Sequence, residues 1–572
     1  MSKKLLQIKD SIKNQIDKLD KFVKNYNESS KTVQIPSSAY MNWGIDLAQR
    51  GKLDEAMEKL QTAALMANQN PGVYINIGIA MLKQKNFEEA IKNFRKAVKI
   101  DKFNAKAYTM WASALSEIGD LKSAIEIYKL AQKYDPRDTD TYLNWGISLA
   151  KAGKKSEAEE KFKKAATLNP ANPIIPFLWG LLLFEQGNYN EAIIRFNHSL
   201  IYADDKYDSY YYLALCYLKQ YNYKLAIKYA REAIDINQTN VDAYIVLAEC
   251  YLNTGNDTLC LNTFELAEEK TQTNANFYTN WGLALQKYHH VEDAREKLYK
   301  ALMLDPTQEI VLFNLGVNFL MSNEYTQAEE FFNKVLEKNP ANPLALYNLA
   351  AIAYNRQDYN YALELYKSSY ENDRKNYRIY FNIANCYYKK NDYDKAKEYF
   401  KKCIEYCPQH IQAYINYANL LMDTGNYKEA QRKARTAYLL DKNSAYTSFA
   451  FGIILMKSEK FDEAIEKFEN AIKITPEYIL AYMGKAEALL HLKNGNDALS
   501  TLISIMDSSV QLPEFQELLI RTLENIYEDN ELEEETAKKA LESCNKFLEM
   551  YNNDKVLAIK NTLLEKFKFE AN

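Results

Sequence analysis

The sequence predicts an all-α solenoid of fourteen 34-residue helix–turn–helix units, because two rows of small residues keep one phase through most of the chain. Stepping by 34 from Gly44 reaches Gly78, Ala112, Gly146, Gly180, Ala214, Ala248, Gly282, Gly316, Ala350, Ala384, Ala418, Gly452 and Ala486. The same step from Ala56 to Ala498 meets Ala at every stop except Cys260. With Gly44 taken as unit position 8, the frame fills residues 37–512 without an insertion or deletion. Of the 572 residues, 47% are hydrophobic and 26% charged, which is the composition of an ordered chain. At about 150 residues per domain that length implies several domains, but a repeat array escapes the arithmetic because each unit buries surface only against its neighbours.

Each element has its reason. Positions 4, 7, 8 and 11 share one face of a first helix, and 20, 24 and 27 share one face of a second. Small residues at 8 and 20 let helix backbones approach; a Leu there would overpack by about 1–3 kcal/mol. Gly51, Gly119, Gly153, Gly187, Gly255 and Gly425 stand at position 15, where the first helix must end and reverse. Pro136, Pro170, Pro306, Pro340, Pro408 and Pro476 stand at position 32 and stop the second helix. Position 4 is Tyr in ten units, from Tyr40 to Tyr482. An aromatic at 4, small residues at 8 and 20, an aromatic at 24 and Pro at 32 resemble the tetratricopeptide repeat (TPR) pattern. That resemblance implies a right-handed superhelix whose first helices line a concave face. Trp43, Trp111, Trp145, Trp179 and Trp281 all fall at position 7, a shared phase that marks core.

A stack of repeats leaves an apolar face open at each end. In residues 1–36, Leu5, Ile8, Ile12, Leu19, Phe22 and Tyr26 predict an amphipathic capping helix followed by a polar linker. A dimerising coiled coil is the alternative, but Gln15 in a seam of three heptads makes it marginal. Residues 513–572 read as a diverged helical pair, Pro513–Glu528 and Leu532–Tyr551, with an acidic connection and a final capping helix over 555–569.

Several function classes are excluded at this level. With 72 basic and 76 acidic side chains the net charge is −4, which gives no electrostatic case for nucleic acid. Seven Cys in this length do not make a disulfide scaffold. The longest apolar run, Pro173 to Phe184, is shorter than the roughly 18 residues of a membrane span. The opening MSKKLLQIKD forms no signal-peptide core, so a soluble, cytoplasmic protein is expected. His198, His289, His290, His410 and His491 lie in different units apart from the adjacent pair. Cys403 and Cys407 could share a helix face, but Cys403 occupies a position where Ala is usual and reads as a small hydrophobe. Without a phosphate loop, nucleophile elbow or HExxH motif, the chain is expected to be no enzyme and to carry no cofactor or metal.

Positions 2, 5, 6, 9, 12 and 13 are left free by the packing stripe. Position 6 is Asn in eight units: Asn42, Asn76, Asn144, Asn280, Asn314, Asn348, Asn382 and Asn416. Asn makes up 53 of 572 residues, so chance would supply about one. A primary amide both donates and accepts, which suits the repeating polar groups of an extended peptide. The row is similar to the asparagine ladder in the TPR superhelix of O-linked N-acetylglucosamine transferases; Asn is also a frequent TPR residue there, so ligand contact and family habit are both readings. Around the run from Asn280 to Asn416 stand Tyr347, Tyr354, Phe381 and Tyr388, residue types that give contact area at low entropy cost. The lysine clamp by which some TPR co-chaperones hold a C-terminal carboxylate has no match, because position 5 is never Lys.

Unit 5 differs. Ile174, Phe177, Leu178, Leu181 and Phe184 fill five of its six free positions, and Tyr211 and Tyr212 follow in unit 6. An apolar patch of that kind calls for a cover: a partner's apolar segment first, then a second copy of the chain or a contact across the superhelix. The sequence therefore points to a non-catalytic scaffold for an extended segment of a protein partner of unknown identity. A structural subunit of a multiprotein assembly or homo-oligomer is the alternative.

Overall fold

The structure is a computed structural model that describes residues 36–271, 273–372, 374–528, 534–551 and 553–567. The capping helix and linker expected in residues 1–36 lie outside these residues except for Pro36, and so does part of the acidic connection. Among the described residues every regular element is an α-helix. First helices begin at Ser37, Pro71, Ala105, Thr139, Ile174, Tyr207, Asp242, Ala275, Glu309, Pro343, Tyr377, Ile411, Ala445 and Ile479, each within one residue of the 34-residue step. The described residues form two compact bodies, one up to His290 and one from Val291 onward.

One device repeats in both bodies. The position-20 residues, among them Ala90 and Ala192 in the first and Ala328 and Ala396 in the second, are 0% exposed. Opposite position 8 lies a fully buried ring at position 24: Phe94, Phe162 and Phe196 in the first body, Phe332 and Phe468 in the second. A Cβ on Gly78 would stand 2.5 Å from Phe94, and one on Gly180 or Gly316 would stand 2.7 Å from Phe196 or Phe332. The small residue is thus the seat of a ring, not only a place where backbones approach. Tyr128 fills the same slot and brings a hydroxyl, which sits 2.9 Å from both Ser113 Oγ and Ser148 Oγ.

The turn after the first helix is left-handed at position 15 throughout, with φ between 58° and 86°. Six of these residues are Gly, but Lys85, Tyr221, His289, Asn323, Gln357, Asn391, Glu459 and Lys493 take the same conformation at about 1–2 kcal/mol each. Helix-terminating bonds hold them there: the position-16 N–H donates to the position-11 carbonyl, as from Asn86 to Met81 at 2.9 Å. Position 4 also does more than pack. The hydroxyls of Tyr142, Tyr380 and Tyr482 donate to the carbonyls of Pro136, Arg374 and Pro476 at 3.2, 2.9 and 3.0 Å, pinning the turn that precedes their helix.

The position-7 indoles are framework. Cations on the second helices cover four of them, with Lys59 4.7 Å from the Trp43 ring, Arg95 5.1 Å from Trp111, Lys161 4.2 Å from Trp145 and Arg195 3.7 Å from Trp179. In the second body, helix Gly495–Ile503 is short and Met506–Ser509 follows it. Helices Pro513–Glu528, Glu534–Met550 and Asp554–Phe567 then gather around Phe515, Leu519, Phe547 and Leu563, each at most 1% exposed.

Candidate functional site: the first-helix face

Bonds between successive first helices show that the free positions form one face within each body. In the first body, Lys83 Nζ donates to the Ala48 carbonyl at 3.0 Å and Lys151 pairs with Glu117. In the second, Tyr446 Oη donates to Gln412 Oε1 at 3.1 Å and Tyr388 Oη to Asp423.

The asparagines on this face divide into two kinds. The Nδ2 of Asn76, Asn144, Asn280, Asn314 and Asn348 donates to the carbonyl four residues earlier in its own helix, at 2.8, 2.8, 2.8, 2.7 and 2.8 Å. A carbonyl only accepts, so this bond fixes the amide's orientation. In Asn76, Asn144 and Asn348 it leaves Oδ1 as an acceptor with no donor among the described residues; all three side chains are half-buried, and Asn42 is exposed. Asn382 and Asn416 are spent on neighbouring units instead. Asn382 Nδ2 donates to Tyr347 Oη at 2.9 Å, and Asn416 Nδ2 donates to Asn385 Oδ1 at 2.9 Å while its Oδ1 accepts from Gln412 Nε2 at 2.8 Å.

The four aromatic residues expected here are all half-buried. Tyr347 stands edge-on to Tyr366 with centroids 5.6 Å apart, and Tyr354 edge-on to Tyr359 at 5.4 Å. Burial, then the bond to Asp423, raises the Tyr388 phenol. Phe381 lies 4.9 Å from the His410 imidazole, whose Nδ1 accepts from the Ala413 N–H at 3.1 Å and so caps helix Ile411–Asp423. Burial, and then the Arg378 charge, lowers the His410 pKa and keeps that cap neutral. His410, Asn385, Gln412, Asp423 and Tyr446 were not singled out by the frame; all but Tyr446, which meets Gln412 in its own column, have partners at other unit positions.

In the first body the apolar patch proves to be partly a joint between units. Phe177, Leu178, Leu181 and Phe184 are half-buried against the core, whereas Ile174 remains 54% exposed. The rings of Phe177 and Phe184 stand edge-on to Tyr212 at 5.8 and 5.7 Å, and Tyr212 stacks on Phe196 at 5.5 Å. Tyr211 stands edge-on to Tyr212 at 5.3 Å. Burial, and after it the Asp242 carboxylate, pushes the Tyr211 phenol up to about 12.

Cys403 is fully buried, and burial pushes its thiol up to about 12, which makes it a small hydrophobe and not a nucleophile. Elsewhere in the second body a cleft of about 680 Å³ opens beside the short helix Gly495–Ile503, lined by Ile465, Tyr482, Leu489 and the ion pair of Lys485 and Glu469 at 2.8 Å. No helix among the described residues is long and apolar enough to cross a membrane.

Comparison with known proteins agrees with the frame. Tetratricopeptide repeat family profiles match residues 71–104, 109–173, 313–377, 377–410, 399–432 and 455–519. A profile for subunit 3 of the anaphase-promoting complex, cyclosome, matches 185–267. No curated protein sequence is a significant match. Among solved structures, the APC/C hetero-tetramer Cut9–Hcn1 is similar at 15% identity, over 87% of this chain and 98% of that one, with a TM-score of 0.46. Yeast Tom70 is similar at 16% identity over 87% and 98%, with a TM-score of 0.35. Naa15/Naa10 bound to HypK-THB is similar at 12% identity over 93% and 97%, with a TM-score of 0.36. With its two small-residue rows, its ring seats and its matched repeats, this chain belongs to the tetratricopeptide repeat proteins.

Proposed function

We propose that the protein is a non-catalytic interaction scaffold that holds an extended segment of a partner protein on its first-helix face. The helices from Pro513 onward close the end of the stack in this reading. One observation carries it: amides such as Asn144 and Asn348 are locked by their own helix carbonyl and keep Oδ1 available. An acceptor fixed in this way recognises an N–H group of an extended backbone whatever its side chains, and its orientation costs no entropy at the moment of binding. The exposed aliphatic surface at Ile174 supplies an anchor. The test uses the partner segment recovered by cross-linking from native lysate. Asn348→Ala weakens its binding in a calorimetric titration, with helicity and melting temperature unchanged; unaltered affinity would refute the amide role.

A further inference from the structure

The chemistry of the anchored segment can be read from what surrounds the unit-5 and unit-6 rings, an inference that rests on the anchoring role just proposed. The floor is aromatic: Phe177, Phe184, Tyr211 and Tyr212 meet edge-on, and Tyr211 stacks on Tyr207 with centroids 6.2 Å apart. Its rim is acidic. The charges acting most strongly on the Tyr212 phenol are those of Asp208, Glu185 and Asp242, and on Tyr211 those of Asp242 and Glu249. Burial, and after it the nearby Asp205, also hold the Asp208 carboxyl above its usual range. None of Glu185, Asp208, Asp242 and Glu249 takes part in an ion pair among the described residues, and all but Asp242 are exposed.

Local helix electrostatics explains only half of this rim. Asp208 and Asp242 stand in the first turns of their helices, where negative charge suits the dipole. Glu249 is in the body of helix Asp242–Asn253, and Glu185 ends helix Ile174–Glu185, where the dipole opposes it. Ring faces beside carboxylates favour ammonium and guanidinium groups, while the exposed Ile174 offers the apolar contact.

The geometry points to a partner segment that carries an aliphatic or aromatic anchor flanked by Lys or Arg. Panning a random dodecapeptide phage library on the full-length protein tests it, with a triple variant Asp208→Asn, Asp242→Asn, Glu249→Gln and the single variant Ile174→Asp panned in parallel. Peptides selected by the parent protein and lost on Ile174→Asp are expected to carry basic residues beside an apolar one. As synthetic peptides they bind the triple variant about tenfold more weakly, and their affinity for the parent falls as salt rises. Ile174-dependent peptides without basic flanks, or with equal affinity for the triple variant, overturn this inference and leave the anchor intact. Absence of any Ile174-dependent peptide overturns the anchor and this inference together. A protein mass that doubles with concentration and reverts to monomer on Ile174→Asp assigns the face to a second copy of the chain and overturns it as well.

Discussion

The faces built by residues 174–219 and by residues 309–423 occupy the same positions of the same frame and are finished with different chemistry. In the first, rings and aliphatic side chains pack on one another and leave Ile174 exposed at the edge of an acidic rim. In the second, amides and phenols are joined from helix to helix, Tyr347 to Asn382, Asn385 to Asn416 and Tyr388 to Asp423. Identical seats of Phe196 beside Gly180 and Phe332 beside Gly316 support both. A repeat scaffold therefore separates the residues that make the fold from those that finish its surface, and the same unit positions can carry apolar or polar chemistry in different parts of a single chain.

The largest effects come from attacking what the two regions share. Gly180→Val and Gly316→Val each lower stability by about 1–3 kcal/mol, because both force a branched side chain onto a buried ring. Urea unfolding followed by circular dichroism checks this, and tolerance in one region alone would break the equivalence. Next comes the anchor. Ile174 and Ile310 share unit position 2 and are 54% and 53% exposed. Ile174→Asp is expected to reduce affinity for the partner segment by tenfold or more and Ile310→Asp by much less, with melting temperatures unchanged in both; equal losses would erase the distinction between the faces.

Smaller effects separate the two kinds of asparagine. Asn382→Ala removes the bond to Tyr347 and costs about 1 kcal/mol of stability. Asn348→Ala gives up a bond within its own helix and gains up to about 0.7 kcal/mol of helix propensity, so stability stays near neutral while binding weakens. Denaturation midpoints that shift equally would contradict the division. The smallest effect is set by pH. The folded pKa of His410 is lowered by burial and then by Arg378. Its neutral cap therefore contributes fully above its unfolded value of about 6.5 and is lost as pH falls from there through the folded value. Of the order of 1 kcal/mol is involved, as for other caps. Hydrogen exchange around Ala413, compared with His410→Asn at each pH, reads it: the variant keeps its protection where the parent loses it. At the matching position in the other region Lys206 makes no cap bond, so the start of helix Tyr207–Lys219 shows no such loss.

The helical frame was legible because fourteen copies of one pattern average out local noise, and the Gly and Ala rows mark where helices meet. The left-handed turn at Lys85, Tyr221 or Glu459 was not, since nothing in those side chains announces positive φ and only the neighbouring helix-ending bonds impose it. Placing the asparagines on the first helices was also within reach. What each amide does was not, because reading down one column misses bonds across columns: Asn382 at position 6 meets Tyr347 at position 5, and Asn416 meets Asn385 at position 9. Likewise the sequence showed that the apolar patch calls for a cover but not that part of it comes from within the patch, where Tyr212 of the next unit meets Phe177 and Phe184 edge-on.

A photo-cross-linking residue placed at Asn348 and, separately, at Asn333 tests the central proposal most directly. Asn333 is an exposed position on the second helix Tyr325–Lys338 of the preceding unit and serves as the matched control. Irradiation in native lysate is expected to attach a partner protein at 348 and leave 333 unmodified. Attachment at 333 with none at 348 would move recognition to the second helices and contradict the proposal.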